Sequence, residues 1–170
     1  MLADRGLCSY WHAAMLHVRG IYCVFRMHQR QIVDFRPHRK QRKSKGGKGR
    51  PTSRWVRRLG KHDQIVEWIK PRTRPVWMSV RQFNAIPQTL LVREVRYRIP
   101  SKGQRTGRVT IATTLLDPTV YPKSEICWLY QTRWEVETHF RQLMTTMQMR
   151  VLKCKTVDGV KKELLAFALA

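Results

Sequence analysis

Residues 123–147, KSEICWLYQTRWEVETHFRQLMTTM, read as one amphipathic helix, and that helix limits the chain to folds that can seat it against a core. Leu129, Val136, Phe140, Leu143 and Met147 recur at steps of seven, four, three and four, so they form one apolar stripe. The stripe is expected to face a core. At roughly 100° per residue, Tyr130, Arg133, Glu137 and Met144 fall within about 60° of one another on a neighbouring stripe. An aromatic ring, a guanidinium and a carboxylate therefore share the edge of the helix.

Charge narrows the choice of partner. The 170 residues carry 34 Lys and Arg against 11 Asp and Glu, a formal net charge of +23. That excess goes beyond what solubility needs and points to a polyanion, of which nucleic acid is the commonest. A membrane surface is the competing partner. No apolar run reaches the length of about 18 to 20 residues that a spanning helix needs, and no amphipathic anchor, lipidation signal or signal peptide is visible in these residues. The expectation is a cytoplasmic protein with no membrane partner. Cys8, Cys23, Cys127 and Cys154 are scattered without a CxxC pair, which fits reduced, structural thiols better than a zinc site or a disulfide framework. The chain opens on a short apolar run with no strand before it to pair with, and closes on KKELLAFALA without a polar exit. Both ends read as cut, so a piece of a larger protein is expected, with a complete small domain as the alternative.

Residues 2–4 read as the end of a strand and Arg5-Gly6 as a turn. A short helix follows, with Ser9 as its N-cap and Gly20 where a left-handed C-terminal residue belongs. Residues 21–25, IYCVF, form a continuous β-forming run suited to a strand buried on both faces. Strand, helix, strand makes a crossover unit, and Asp4 lies at a strand's C-terminal end, where such units place their ligand-facing residues. The plainer reading is that Asp4 only begins an Asp-Arg-Gly turn.

Composition then changes abruptly. Between residues 36 and 58, eleven of 23 positions are Lys or Arg, with three Gly, two Pro and no acid. Such a segment cannot bury a core, and it reads as a loop that contacts phosphates when DNA arrives. A nuclear-localisation run and a solvated linker are the alternatives. From residue 64 the period becomes two. Residues 64–70, 89–99 and 108–115 carry the β-branched and aromatic content of strands, with a turn at 101–104 between the last two. Val92 to Val95 breaks phase, which suggests a bulge. Ser79 is a candidate cap for a short helix ending near Pro87, and the Asp117-Pro118 and Tyr121-Pro122 pairs close the β-rich block.

The spacing Tyr130-x2-Arg133-x3-Glu137 on a helix after a β-rich block, with Asp-Arg-Gly closing an upstream strand, resembles the DDE transposases of bacterial insertion sequences. The branch in question has a Tyr, Arg, Glu and Lys signature on one helix. LYQTRWEVETHFRQL is similar to that family's signature segment, ADRGLCSY to the region of its second catalytic aspartate, and MRVLKCKTVDGVKKEL to its C-terminal continuation. The resemblance implies an α/β fold, a partial RNase H-like catalytic core with a β-rich insertion before the last catalytic helix. It divides the chain into a first part of the core at 1–29, a basic loop and β-rich insertion at 30–116, and the signature helix with a following helix at 117–170.

Carried over by position, Asp4 matches the second carboxylate of the catalytic triad and Glu137 the third. Both would be metal ligands. Tyr130 and Arg133 match positions that hold transposon-end DNA. The signature's lysine falls at Met144, whose thioether cannot make an ammonium group's phosphate contact. The first aspartate is expected upstream of Met1, since neither Asp34 nor Asp63 follows a suitable strand. The implied reaction is DNA transposition by cleavage and strand transfer with two Mg2+ (or Mn2+) ions about 3.5 to 4 Å apart, for which hard carboxylate ligands are suited. The partners implied are double-stranded DNA, as transposon ends and target, and a second copy in a homodimer on DNA at the bacterial nucleoid. Whether the chain is itself an enzyme stays open: as a fragment with two carboxylates it is expected to bind DNA and to turn over poorly or not at all. The alternative is a non-enzymatic basic nucleic-acid-binding protein. In that case Arg133 and Glu137, at i and i+4, would be a surface pair worth about 0.3 to 0.5 kcal/mol.

Overall fold

In the computed structural model the described residues are 1–28, 33–38, 52–98, 107–146 and 153–169. They form two compact units, Met1–Cys127 and Trp128–Ala170. The first is built on a mixed six-stranded sheet, so the α/β class expected from the sequence holds.

Strand β1 (Leu2–Ala3) leads through a turn into helix α1 (Tyr10–Val18) and back to β2 (Val24–Arg26), which pairs parallel with β1. Both ends of α1 were legible in the sequence. Ser9 Oγ accepts from the His12 backbone N–H at 3.3 Å. At the other end Gly20 N–H donates to the His17 carbonyl and Ile21 N–H to the Leu16 carbonyl, both at 2.9 Å, the paired bonds of a Schellman cap. Gly20 sits at φ 68, and nothing lies within 4 Å of where its Cβ would be. Gly20→Ala would therefore act through backbone strain alone. It is expected to cost about 1 kcal/mol, read from the urea midpoint; an unchanged midpoint would contradict the cap's role. β2 begins three residues later than the apolar run suggests, because the cap carries the chain through Ile21 and Tyr22, which stay exposed.

The remaining strands are β3 (Thr52–Gly60), β4 (Asp63–Ile69), β5 (Thr89–Arg98) and β6 (Arg108–Thr113), and the sheet order is β1-β2-β6-β5-β4-β3. β6 pairs antiparallel with β2, so the β-rich block and the strand-helix-strand unit share one sheet. The short helix α2 (Val80–Ala85) starts at Ser79 with a full capping box, Ser79 Oγ accepting from Gln82 N–H and Gln82 Oε1 from Ser79 N–H.

Two expectations need correction. The basic tract does not stay a loop to residue 58: Thr52–Gly60 is an edge strand. Pairing with β4 satisfies its backbone, Arg54 forms an ion pair with Glu67, and an edge accommodates Arg57 and Arg58 in solvent. Residues 39–51 of the tract, and the turn expected at 101–104, lie outside the described residues. Nor does Val92 to Val95 hold a bulge. β5 keeps unbroken register with both neighbours, and the irregularities fall in β3, between Trp55 and Arg57 and between Arg58 and Gly60. The phase break arises because Val92, Arg93, Glu94 and Val95 are all buried, so both faces of the sheet are covered there.

On one face Val66, Trp68, Leu90 and Val92 join Trp11 and Phe25 in the main core cluster. Tyr10 Oη donates to the Pro87 carbonyl at 2.6 Å and the Trp11 ring lies 5.6 Å from Phe83, tying α1 to α2. Burying one such large side chain contributes about 1.5–3 kcal/mol. Glu94 belongs to this face; Gln64 Nε2 donates to its carboxylate at 2.8 Å. On the other face Arg93 grips Asp63 with two bonds of 2.8 and 2.6 Å and donates a third, of 2.6 Å, to the Tyr121 carbonyl. That third bond fastens the sheet to the segment entering helix α3 (Lys123–Thr146).

In the second unit the rest of α3 is followed by helix α4 (Val157–Leu169). Glu163 accepts from the Lys153 and Cys154 N–H groups, each at 3.0 Å, and those bonds hold its carboxyl below the usual range. A Cβ on Gly159 would lie 2.9 Å from Cys154 Cβ, so the turn into α4 closes only around a glycine. No helix among the described residues is long and apolar enough to cross a membrane.

Candidate functional site

Asp4 directly follows β1, and its carbonyl accepts from Leu7 N–H at 3.1 Å to close the Asp-Arg-Gly turn. The expected turn is present and Asp4 does follow the strand: the backbone makes the turn while the carboxylate stays 42% exposed, 3.9 Å from Arg5 Nε. β1 is parallel to β2 and its C-terminal end is where a crossover unit presents ligand-facing groups.

Tyr130, Arg133 and Glu137 lie on one stripe of α3. The stripe differs from the sequence expectation in its exposure. Tyr130, placed by periodicity at the edge of the helix, is fully buried, as is Ile126 one turn earlier, while Leu129 of the expected apolar stripe is only half-buried. The inward direction of the first turns of α3 therefore runs through Ile126 and Tyr130. Ile126 precedes Tyr130 by four residues, and that step was available as a signal. Arg133 is half-buried with its guanidinium carbon 5.3 Å from the Tyr130 ring centroid, within cation–π range. The ring works as a platform under the guanidinium. The side chains of Val136, Glu137, Phe140, Leu143 and Met144 lie outside the described set, as does Met147. Asp4 belongs to the first unit and the Tyr130, Arg133 and Glu137 positions to the second.

Among the described residues no three His, Cys, Asp or Glu side chains cluster as a metal-holding group. Asp34 and Asp63, the other two acids weighed from the sequence, each lie beside an arginine. Asp63 is buried against Arg93, and Asp34 accepts from Arg36 Nε and Nη2. The cysteines are free, and burial, then the neighbouring Cys23 and Glu94, push the Cys8 thiol up to about 12, as suits an inert core residue.

A basic cluster that the sequence reading did not single out lies in the first unit. Lys61 and His62 form the two-residue turn between β3 and β4, with His62 in the left-handed region at φ 57. The His62 carbonyl accepts from Arg96 N–H at 2.9 Å, and the Lys61 carbonyl accepts from Lys123 Nζ at 2.8 Å. Partial desolvation, followed by the charges of Lys123, Arg96, Lys61 and Arg108, lowers the His62 pKa below its ordinary value. Lys61, His62, Arg96, Tyr97, Arg98 and Arg108 line one cavity of about 420 Å³. The signal for it was the alternation Arg96, Arg98 on one strand opposite Arg108 on the next.

Comparison with known proteins adds the family. The family described as Transposase DDE domain matches residues 1–170, the whole chain. The chain is also similar to the transposase InsG for insertion sequence element IS4 of Escherichia coli (strain K12), at 29% identity over 118 residues. That match covers 68% of this chain and 24% of the relative, so the chain matches about a quarter of the relative's length. No solved structure matches.

Proposed function

The chain belongs to the family of transposases with a DDE domain, and on that premise we propose that it carries part of an RNase H-like catalytic core that cleaves transposon-end DNA and transfers it to a target. Asp4 and Glu137 are read as the second and third carboxylates of the triad, and Tyr130 with Arg133 as the pair that holds the DNA end. The observation that carries this reading is the conjunction of a whole-chain family match with an aspartate at the end of a parallel strand and a Tyr-x2-Arg-x3-Glu stripe on one helix. The non-enzymatic alternative gains no support from the family match.

Carboxylate oxygens are the donors that Mg2+ and Mn2+ prefer. Mg2+ is commonly held by one or two protein carboxylates with substrate phosphates completing its shell. The exposed carboxylate of Asp4 fits that role. Bound divalent cations would supply Lewis-acid activation of the scissile phosphate and of the attacking hydroxyl. The chain's own groups would do the rest: Arg133, steadied on the Tyr130 ring, neutralises a backbone phosphate, and the surplus of Lys and Arg draws the duplex in. The triad reading calls for a third carboxylate besides Asp4 and Glu137; of the two acids weighed for it, Asp63 is buried in an ion pair with Arg93 and Asp34 lies at the surface beside Arg36. The chain alone is therefore expected to bind DNA and metal but to turn over poorly, and a pair of chains on two transposon ends is the working assembly.

Arg133→Ala tests the DNA-end assignment. A hydrogen bond to a charged group contributes about 1.5–3 kcal/mol, so affinity for a duplex ending in the element's terminal sequence is expected to fall about tenfold or more. Fluorescence anisotropy measures it, with circular dichroism confirming that α3 persists. Unchanged affinity would remove Arg133 from the DNA-holding role.

A further inference from the structure

We propose that the cavity lined by Lys61, His62, Arg96, Arg98 and Arg108 is a seat for backbone phosphates of duplex DNA, a contact separate from the signature residues; this rests on the reading of the chain as a DNA-binding transposase domain. The cations converge by strand geometry. Arg96 and Arg98 are two residues apart on β5 and so share a face. Arg108 on β6 stands directly opposite Arg98, and directly opposed residues of an antiparallel pair also share a face. The β3–β4 turn brings Lys61 and His62 to the same cavity.

Like charges placed directly across a sheet repel, and among the described residues the buried Glu94 offsets the charge of Arg96 only in part. No carboxylate among those residues forms an ion pair with Lys61, Arg96, Arg98 or Arg108. Arg96 is instead held by neutral groups. Its guanidinium carbon lies 4.7 Å from the Phe35 ring centroid, Nη2 donates to the Val33 carbonyl at 2.9 Å and Nε to Thr110 Oγ1 at 3.2 Å. A cationic cavity with one guanidinium fixed in advance and two more exposed beside it suits an anion. Guanidinium forks match phosphate oxygens, and a diester backbone presents phosphates in series, which suits several cations along a sheet end better than one small anion does. The tether from Lys123 Nζ to the Lys61 carbonyl joins this cavity to the first residue of the signature helix.

The test is the salt dependence of binding to a short duplex of arbitrary sequence, measured by anisotropy for the unsubstituted chain and for the double variant Arg98→Gln, Arg108→Gln. Each phosphate contact contributes about 0.9 to the slope of log K against log salt, so the double variant's slope is expected to be shallower by about 1 to 2. Arg98→Lys with Arg108→Lys should restore it. Removing two charges elsewhere, with Arg72→Gln and Arg81→Gln, should leave it unchanged. An unaltered slope in the Arg98, Arg108 variant overturns the proposal, as does an equal change in the Arg72, Arg81 control, which would mean a diffuse charge effect. Inorganic phosphate that displaces the duplex more effectively than chloride at matched ionic strength would assign the cavity to a small anion, and the proposal falls. If the unsubstituted chain shows no salt-dependent binding at all, the transposase-DNA reading fails with it, whereas normal binding with an unaltered variant slope removes the cavity alone.

Discussion

Arg93→Met is expected to destabilise the first unit by about 3–5 kcal/mol, the cost of stranding one member of a buried ion pair. Arg93 is 1% exposed and Asp63 4%, so removal of the guanidinium leaves the carboxylate facing protein instead of water. Three bonds go at once: two to Asp63 and one to the Tyr121 carbonyl. In a domain of this size each kcal/mol moves the melting temperature by roughly 2–4 °C, so a drop of about 10 °C is anticipated. Adding Asp63→Leu should recover much of the loss, since a buried pair can often be exchanged for apolar residues at little cost. The full double-mutant cycle isolates the coupling. A loss below about 1 kcal/mol for Arg93→Met alone would mean that water reaches Asp63 and that the pair is a surface one.

The same residue explains where the sequence was readable and where it was not. Periodicity and caps located α1, α2, α3 and the strands β4 to β6, because those signals act over a few neighbouring residues: Ser9 and Gly20 for α1, Ser79 with Gln82 for α2. Arg93 and Glu94 broke the alternation of β5 for a reason no local pattern contains. Their partners, Asp63 and Gln64, lie 30 residues upstream and turn two polar positions into interior ones. β3 was hidden for a related reason: its hydrogen bonds come from β4, so an arginine-rich composition disguised a strand that tertiary pairing supports. At the candidate site, one strand end and one helical stripe drew attention to Asp4, Tyr130, Arg133 and Glu137, but on local pattern alone a turn and a surface pair were the plainer readings, and only the family resemblance gave the residues roles. Burial of Tyr130 was not legible, because the apolar stripe through Leu129 looked like the better inward face. The Lys61 to Arg108 cavity needed the register that sets Arg98 against Arg108, and register is a property of paired strands.

Glu137→Gln should separate metal binding from DNA binding. The amide keeps the shape of the side chain and removes its charge, so a group that holds a divalent cation loses the interaction that matters most. Loss of an outer-sphere partner already costs metal sites about 10–100-fold in affinity, and loss of a direct carboxylate ligand should reach at least about 100-fold. Mn2+ binding to the chain, followed by water-proton relaxation, measures it, and Asp4→Asn should fall in the same direction if both carboxylates serve one site. Duplex affinity should stay level or rise slightly, because a carboxylate among phosphates repels them. Arg133→Ala gives the opposite pattern, with weaker DNA binding and little change in metal affinity. If Glu137 were only the i+4 partner of Arg133 on a helix surface, its replacement would cost about 0.3–0.5 kcal/mol of stability and leave Mn2+ binding untouched. The two accounts thus predict different observables for one substitution, and unchanged metal affinity in both Glu137→Gln and Asp4→Asn would remove these residues from the catalytic assignment.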